Sequence, residues 1–134
     1  MECKLYGGAK RETYEIIGRY AMDASIIKML GNPITTDENT QWVVGYENRK
    51  VIGFCKINAT SNRNKISSVV VFEPRTGSTA GEIFKQLIEF ASQQVDKRLP
   101  TVSYANAQTL PWFLELGFVM QKEGKEWHTV ERKI

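Results

Sequence analysis

The segment from residue 66 to residue 95 restricts the fold more than any other part of the chain. It begins with ISSVVVF (66–72), whose continuous apolar end is typical of a central strand covered on both faces. Apolar residues then recur at helical spacing over 79–95. Thr79 followed by Glu82 predicts a capping box, so the helix should begin there. A buried strand, a loop of small residues and an amphipathic helix therefore follow one another.

Further strands and helices are predicted on both sides of this segment. Residues 2–6 suit a short edge strand, and 11–30 predict a broken helix that Gly31-Asn32-Pro33 ends. Pro111 suits the first turn of a short helix that Gly117 stops. The other predicted strands are 42–46, 51–57, 101–106, 118–123 and 127–133. This order predicts a mixed sheet flanked by helices.

Size and composition fit one domain, so residues 1–134 are expected to form a single unit. No stretch approaches the roughly 20 apolar residues of a membrane span, and the N-terminus lacks a signal-peptide core. Cys3 and Cys55 stand far apart and there is one histidine, which predicts free thiols, a cytoplasmic location and no metal site. The formal charge of +3 suits attraction of an anionic cofactor, or solubility alone.

The loop between the central strand and its helix has the chemistry of an anion site. The first amides of a helix lack intrahelical partners and carry partial positive charge, which suits a pyrophosphate. Gly77 and its small neighbours let a phosphate approach the backbone, and Arg75 adds a positive charge. An ordinary strand–helix connection with a surface arginine is the alternative. The loop contains neither a GK[ST] sequence nor a G-x-G-x-x-G sequence.

Three segments in register resemble the GNAT family of N-acetyltransferases. The family's Q/R-x-x-G-x-G/A motif is similar to Arg75-Thr76-Gly77-Ser78-Thr79-Ala80, with Ser78 where glycine is usual. Its later N-x-x-A-…-Y-x-K-x-G-F pattern is similar to YANAQTLPWFLELGF (104–118), and the hairpin WVVGYENRKVIGFCKI (42–57) resembles a third landmark. The resemblance implies an α/β (α+β) class, with a mixed, mostly antiparallel central sheet flanked by helices.

The same resemblance implies acetyl-CoA as cofactor and direct transfer of its acetyl group to an amine. Residues 75–80 would bind the pyrophosphate, and Asn106 would hydrogen-bond the pantetheine or phosphate end. The pantetheine arm would be held by the main-chain groups of Val70, Val71 and Phe72, where a backbone N–H would polarise the thioester carbonyl. Phe113 stands at the family's usual tyrosine position, facing the cleft, where phenylalanine has no proton to give.

The leaving thiolate would then be released through water, through another residue or without assistance, and a base or water must take the proton of the amine. Tyr104 is the nearest replacement acid, and a half-buried strand tyrosine is its alternative interpretation. Glu73 follows the central strand and is the candidate base, with a solvated loop charge as its alternative. Ser67 and Ser68 could relay a proton through water. His128 is interpreted as a surface strand residue.

The acceptor pocket is expected between the N-terminal helices and loop 31–41, where Asp37 and Glu38 would attract a cationic amine. A solvated loop is the alternative. The acceptor would be a small-molecule or protein amine, and a homodimer is left open. Two other functions stay open: a non-catalytic GNAT-like module that binds coenzyme A or a partner, and a GNAT with a nucleic-acid acceptor. Scattered basic residues and the lack of a stacking strand argue against nucleic acid.

Overall fold

The computed structural model describes residues 1–72 and 79–133. These residues form one seven-stranded mixed sheet and four helices. The elements in chain order are β1 (Glu2–Gly7), α1 (Arg11–Ala21), α2 (Ala24–Leu30), β2 (Thr40–Glu47), β3 (Lys50–Ala59), β4 (Asn64–Val71), α3 (Ala80–Gln93), β5 (Thr101–Ala105), α4 (Leu110–Glu115), β6 (Val119–Lys122) and β7 (His128–Arg132). The strand order is β1-β2-β3-β4-β5-β7-β6. Strands β4 and β5 pair in parallel and the other neighbours are antiparallel, which confirms the predicted class.

Helices cover both faces of the sheet. On one face, here called the α3 side, the apolar stripe of α3 packs with Cys55, Ile66 and Ala105. On the other, the α2 side, residues of α1 and α2 pack with Phe54 and Val70. Strand β4 supplies buried side chains to both clusters, so the prediction of a central strand covered on both faces is confirmed.

Local signals set the helix ends where the sequence placed them. The Thr79 hydroxyl oxygen accepts the N–H of Glu82 at 3.2 Å, which caps α3. The predicted break within 11–30 lies between α1 and α2, where a carboxylate oxygen of Asp23 accepts the N–H of Ser25 at 2.9 Å. Gly31 ends α2 at a φ of 79°, a left-handed conformation that glycine adopts without steric cost.

The loop after α2 is held against strands β2 and β3. The indole N–H of Trp42, a fully buried residue, donates to the Thr36 hydroxyl at 2.9 Å. The Lys56 ammonium donates to the carbonyl of Thr35 at 3.0 Å. These bonds position residues 31–35 beside β4, where they form part of the cleft.

Candidate active site

The central feature of the site is the divergence of β4 from β5. Their parallel pairing covers two residue pairs, Asn64 with Thr101 and Lys65 with Val102. One residue further along each strand, the buried Ser103 hydroxyl donates to the Ile66 carbonyl at 2.7 Å. A side chain thus replaces the next main-chain bond between these strands, and beyond it lies the space here called the β4–β5 gap.

A bulge in β4 marks the point where the gap begins. Phe54 of β3 stands opposite Val70, but Lys56 stands opposite Ser67. Two β4 residues, Ser68 and Val69, therefore face the single β3 residue Cys55, which is the pattern of a β-bulge. Ser68 has a φ of 50°, a left-handed conformation that costs free energy for a serine. Strained backbone of this kind concentrates at functional sites.

The bulge decides which backbone groups face the gap. The Phe72 N–H donates to the Ile52 carbonyl at 2.9 Å, and a side chain at Gly53 would meet the Val70 carbonyl oxygen at 2.8 Å. The Val70 carbonyl and the Phe72 N–H thus point to β3, so the prediction that these two groups hold a ligand in the gap is wrong. Because strand backbone groups alternate, those of Val69 and Val71 point toward β5. Val71 stays a candidate, and Val69 is one that the sequence missed.

A cleft of about 740 Å³ passes through the gap and opens on both faces of the sheet. This volume is in the range of small-molecule and cofactor sites. Its α3 side is walled by residues of α3 and α4 and by the loop before α4. Its α2 side is walled by the end of α2, loop 31–35, two strand lysines and the β6–β7 turn. Its lining residues include Ala80, Trp112, Asn106, Thr109, Ser67, Ser68, Lys56, Lys65, Tyr104, Glu126 and Trp127.

The α3 side contains part of the predicted pyrophosphate site. Ala80, the first residue of α3, lines the cleft directly after its cap Thr79, so the helix N-terminus opens near it. The positive end of the helix dipole favours an anion there. Arg75, Thr76, Gly77 and Ser78 lie outside the described residues, as does Glu73.

Asn106 lines the cleft where it was predicted, but its side chain also shapes the α4 entry. Its side-chain oxygen accepts the N–H of Thr109 at 2.9 Å, and the Thr109 hydroxyl accepts the Asn106 N–H at 3.0 Å. Among the residues that the structure describes, none accepts a hydrogen bond from the side-chain amide nitrogen of Asn106, which has two donors. Asn106 therefore combines a capping role with a place in the cleft wall.

Phe113 lies in the core, so the prediction that it faces the cleft is wrong. It is 0% exposed, and its ring packs edge-on against Phe84 and Phe118 with centroids 5.1 Å apart in each pair. Successive residues of a helix point about 100° apart, and the preceding residue, Trp112, lines the cleft instead. The Trp112 indole packs on the first turn of α3, 5.2 Å from the Phe84 ring.

Tyr104 and the two strand lysines lie on the α2 side. Tyr104 alternates with Ser103 and Ala105, which face α3, and the Lys65 ammonium lies 5.2 Å from the centre of its ring. The Lys56 ammonium lies 6.0 Å from the centre of the Trp42 ring. Burial lowers the pKa of Lys56, the carboxylate of Asp37 opposes this shift, and the positive charge of Lys65 adds to it.

The predicted acidic residues of loop 31–41 are not in the cleft. Thr36 donates to the Gly8 carbonyl at 2.8 Å and Gly8 donates to Thr40 at 2.8 Å, which draws the second half of the loop toward β1. Glu126 is the one residue with a carboxylate among the described residues that line the cleft. The prediction that Asp37 and Glu38 line the pocket is therefore wrong. The prediction failed because the position of this loop depends on tertiary hydrogen bonds to Gly8, which the loop sequence does not show.

Ser67 and Ser68 do line the cleft, at the bulge. His128 starts β7 opposite Ala105, and its Nδ1 accepts the Gly124 N–H at 3.2 Å, so it shapes the β6–β7 turn. Over residues 1–72 and 79–133, no helix has the length and apolarity needed to cross a membrane. The same described ranges hold no cluster of three or more His, Cys, Asp or Glu side chains suited to a metal ion.

Two parallel central strands that diverge after a bulge, with a capped helix following the first of them, make up the GNAT acetyltransferase fold. Comparison of solved structures gives this result over the full chain. The chain is similar to ElaA of Escherichia coli, with a TM-score of 0.74 at 14% identity, covering 99% of this chain and 100% of the other. An acyl-CoA N-acyltransferase from Pseudomonas aeruginosa matches with 0.74 at 13% identity, covering 98% of both chains.

A third similar structure is the PaiA N-acetyltransferase of Thermoplasma acidophilum in complex with coenzyme A. Its TM-score is 0.63 at 13% identity, and the match covers 100% of both chains. No family model and no curated protein sequence matches the chain. The likeness is therefore one of fold.

Proposed function

We propose that residues 1–134 form one acetyltransferase domain, which transfers the acetyl group of acetyl-CoA directly to an amine in a ternary complex. The observation that carries the proposal is the β4–β5 gap, with the bulge at Ser68 at its narrow end. A pantetheine arm is a chain of amides that can pair with exposed strand backbone. From the alternation of strand backbone groups, we expect the main-chain groups of Val69 and Val71 to face this gap, where they suit such an arm.

The reaction needs a polarised thioester carbonyl. In this proposal the Val69 N–H, directly after the bulge, donates to the carbonyl oxygen as negative charge develops on it. A donor fixed by strained backbone is already oriented before the reaction, which is the main source of such stabilisation. The strain at Ser68 supports this role, because a regular strand would turn the same N–H toward β3.

The proton and bond changes then follow. The acceptor nitrogen loses a proton to water, aided by Ser67 and Ser68 at the bulge, and attacks the thioester carbon. A C–N bond forms, the C–S bond breaks, and the coenzyme A thiolate leaves. Tyr104 lines the same cleft and is proposed as the group that returns a proton to sulfur. Thiols have a pKa of about 8.5, so this step needs little assistance.

The pyrophosphate is proposed to bind at 75–80, with Thr79 capping the helix and Ala80 on the cleft wall. Asn106 would donate its amide N–H groups to the cofactor. The buried Cys55 and the partly buried Cys3 are free thiols, which supports a reducing compartment such as the cytosol.

Calorimetry with acetyl-CoA and with S-acetylpantetheine, which lacks the pyrophosphate, separates the two halves of this site. Both ligands should bind, the truncated one more weakly and in competition with the first. Arg75→Glu should weaken acetyl-CoA by about 10-fold or more, because a charge-assisted bond contributes roughly 1.5–3 kcal/mol, and should leave S-acetylpantetheine unchanged. Arg63→Glu, at an exposed turn, is the matched control.

Thiol release from acetyl-CoA with a panel of amines then tests catalysis. Release above the rate without an amine is expected. Binding of acetyl-CoA with no release for any amine would instead favour the non-catalytic module. The placement of Phe113 in the core also favours that module, because the family's usual tyrosine position then supplies no acid. Absence of binding by both ligands would overturn the proposal.

A further inference from the structure

Two lysines stand together on the α2 side of the cleft. Lys56 of β3 and Lys65 of β4 are half-buried and both line the cleft wall. The Lys65 ammonium sits over the ring of Tyr104, and that of Lys56 sits over the ring of Trp42. The rings of Trp42 and Tyr104 pack against the two ammonium groups, and Ser67 and Ser68 line the cleft beside them, so both charges lie on one wall.

Carboxylates do not neutralise this pair at short range. Within the described part of the chain, no carboxylate oxygen lies within 4.0 Å of either ammonium. Lys56 donates to the carbonyl and hydroxyl oxygens of Thr35, at 3.0 and 3.3 Å, which are uncharged groups. An ammonium has three donors, so one donor of Lys56 has no partner among residues 1–72 and 79–133.

The surroundings of Lys56 act on it in opposite directions. Burial lowers the pKa of Lys56, and the charge of Lys65 lowers it further, while Asp37 raises it in part. Glu126 is a carboxylate on the same cleft, against two ammonium groups. With two ammonium groups and one carboxylate on the described cleft wall, and no carboxylate oxygen within 4.0 Å of either ammonium, this wall favours an anion over a simple cation.

Resting on the proposed acetyl transfer, we propose that the acceptor is an amine that also carries an oxyanion group, a carboxylate or a phosphate, which Lys56 and Lys65 bind. The amino end of such a molecule then points to the bulge at Ser67 and Ser68, next to the thioester. The apolar part between the two ends lies against Trp127, which lines the same side. This replaces the sequence-based expectation of a cationic acceptor held by Asp37 and Glu38.

Nearby positive charge also helps the chemistry. An amine arrives mostly as its ammonium form, and two lysines in the same cleft favour loss of its proton. Binding of the oxyanion and generation of the neutral nucleophile are thus both served by this pair. A diamine gains no such binding, since its second charge is repelled by the lysines.

Matched amines test the proposal on the parent protein. 4-Aminobutyrate is compared with 1-aminobutane, and phosphoethanolamine with ethanolamine, with 1,4-diaminobutane as the dication. Thiol release from saturating acetyl-CoA gives kcat/KM for each. The anionic member of at least one pair should exceed its neutral partner by about 10-fold or more, and the two pairs distinguish carboxylate from phosphate.

Substitution of the lysines assigns the preference to them. Lys56→Gln and Lys65→Gln should each reduce the ratio of anionic to neutral kcat/KM by about 10-fold to 100-fold, or 1.4–2.8 kcal/mol at 1.4 kcal/mol per factor of ten. Lys50→Gln, at the exposed β2–β3 turn, is the control and should keep the parent ratio. Since Lys56 also holds Thr35, Lys65→Gln provides the test that does not disturb the loop.

Three outcomes overturn the inference. If the parent acetylates both members of each pair equally well, the lysines do not select an anion, although the proposed function stands. If Lys65→Gln and Lys56→Gln weaken acetyl-CoA in calorimetry while the ratio stays constant, the pair binds the cofactor phosphates instead. If acetyl-CoA neither binds nor reacts with any amine, the inference falls together with the proposed function.

Discussion

Substitution of Phe113 by tyrosine tests where its ring lies. The ring is 0% exposed and meets the rings of Phe84 and Phe118, each at a centroid distance of 5.1 Å. A hydroxyl added here enters an apolar cluster, whereas a hydroxyl added on the cleft wall would reach water. Phe113→Tyr therefore distinguishes the core position from the cleft position that the motif resemblance implies.

The expected cost follows from that environment. A buried hydroxyl without a partner costs roughly 1–3 kcal/mol, and forcing an extra atom into a packed core costs roughly 1–3 kcal/mol. The free energy of unfolding should thus fall by at least about 2 kcal/mol. For 134 residues, about 3–5 °C of melting temperature corresponds to 1 kcal/mol, so a fall of about 6–10 °C or more is expected.

Thermal unfolding followed by circular dichroism measures this change. Phe90→Tyr, at a half-buried position of α3, is the matched control and should shift the melting temperature little. Turnover of Phe113→Tyr at 25 °C, where the protein stays folded, should match that of the parent. An unchanged melting temperature together with a new pH dependence of turnover would refute the reasoning, because it would place the new hydroxyl in the cleft.

Three further substitutions test the fold around the site. Ser103→Ala removes the 2.7 Å bond to the Ile66 carbonyl and should lower the free energy of unfolding in urea by about 1–3 kcal/mol; a change below 0.5 kcal/mol or so would mean that the bond contributes nothing. In Gly81→Ala the new Cβ would lie 2.7 Å from the Trp112 indole nitrogen, so an overpacking cost of about 1–3 kcal/mol should outweigh the roughly 1 kcal/mol gained in helix propensity, and a more stable variant would contradict this. Hydrogen bonds from the Ser25 hydroxyl, and then from the backbone N–H groups of Ile26 and Ser25, hold the pKa of Asp23 below its usual value. The stability that the ionised cap contributes is therefore present above the unfolded-state pKa and is lost as pH falls through the folded-state pKa. Asp23→Ala should therefore lower the melting temperature at pH 7 but not at pH 2. An equal difference in melting temperature between variant and parent at both pH values would exclude a charged cap.

Local chemistry made much of the fold predictable. Thr79 and Glu82 placed the start of α3, because a cap depends on residues three positions apart. Gly31 ended α2 for a similarly local reason, and two apolar runs on either side of the polar turn 47–50 located the β2–β3 hairpin. The order of these elements was sufficient to predict a mixed sheet flanked by helices, but not the strand order, in which β7 rather than β6 lies beside β5.

The backbone of the site was less predictable, since it depends on pairing between strands. The segment ISSVVVF does not by itself place a bulge at Ser68, because a bulge is defined by the pairing of β4 with β3. A one-residue bulge exchanges the backbone groups that face the gap, which is why Val69 was missed and why Val70 and Phe72 were assigned wrongly. Two adjacent serines before three valines interrupt the apolar pattern at this point, and they are the signal that could have indicated it.

Side-chain assignments failed where a motif was counted and packing was not considered. In a helix as short as α4, Trp112 and Phe113 are both aromatic, and sequence gives no preference for which one faces the core. The lysine pair was missed because Lys56 and Lys65 belong to different strands and meet only through the β3–β4 pairing. Asp37 and Glu38 drew attention as adjacent charges, but the bonds of the loop to Gly8 carry them elsewhere.

The short parallel pairing of β4 and β5 has a consequence for unfolding. Two residue pairs and the Ser103 bond join β1–β4 to β5–β7–β6 across the sheet, so this seam is the weakest line in its hydrogen-bonded network. A bound pantetheine arm that pairs with both β4 and β5 would add hydrogen bonds across this seam. At 100 times its dissociation constant a ligand adds about 2.7 kcal/mol to the free energy of unfolding. Amide hydrogen exchange in β5 and β7 should therefore slow on binding more than exchange in β1 and β2, which makes the seam a reporter of occupancy even without turnover.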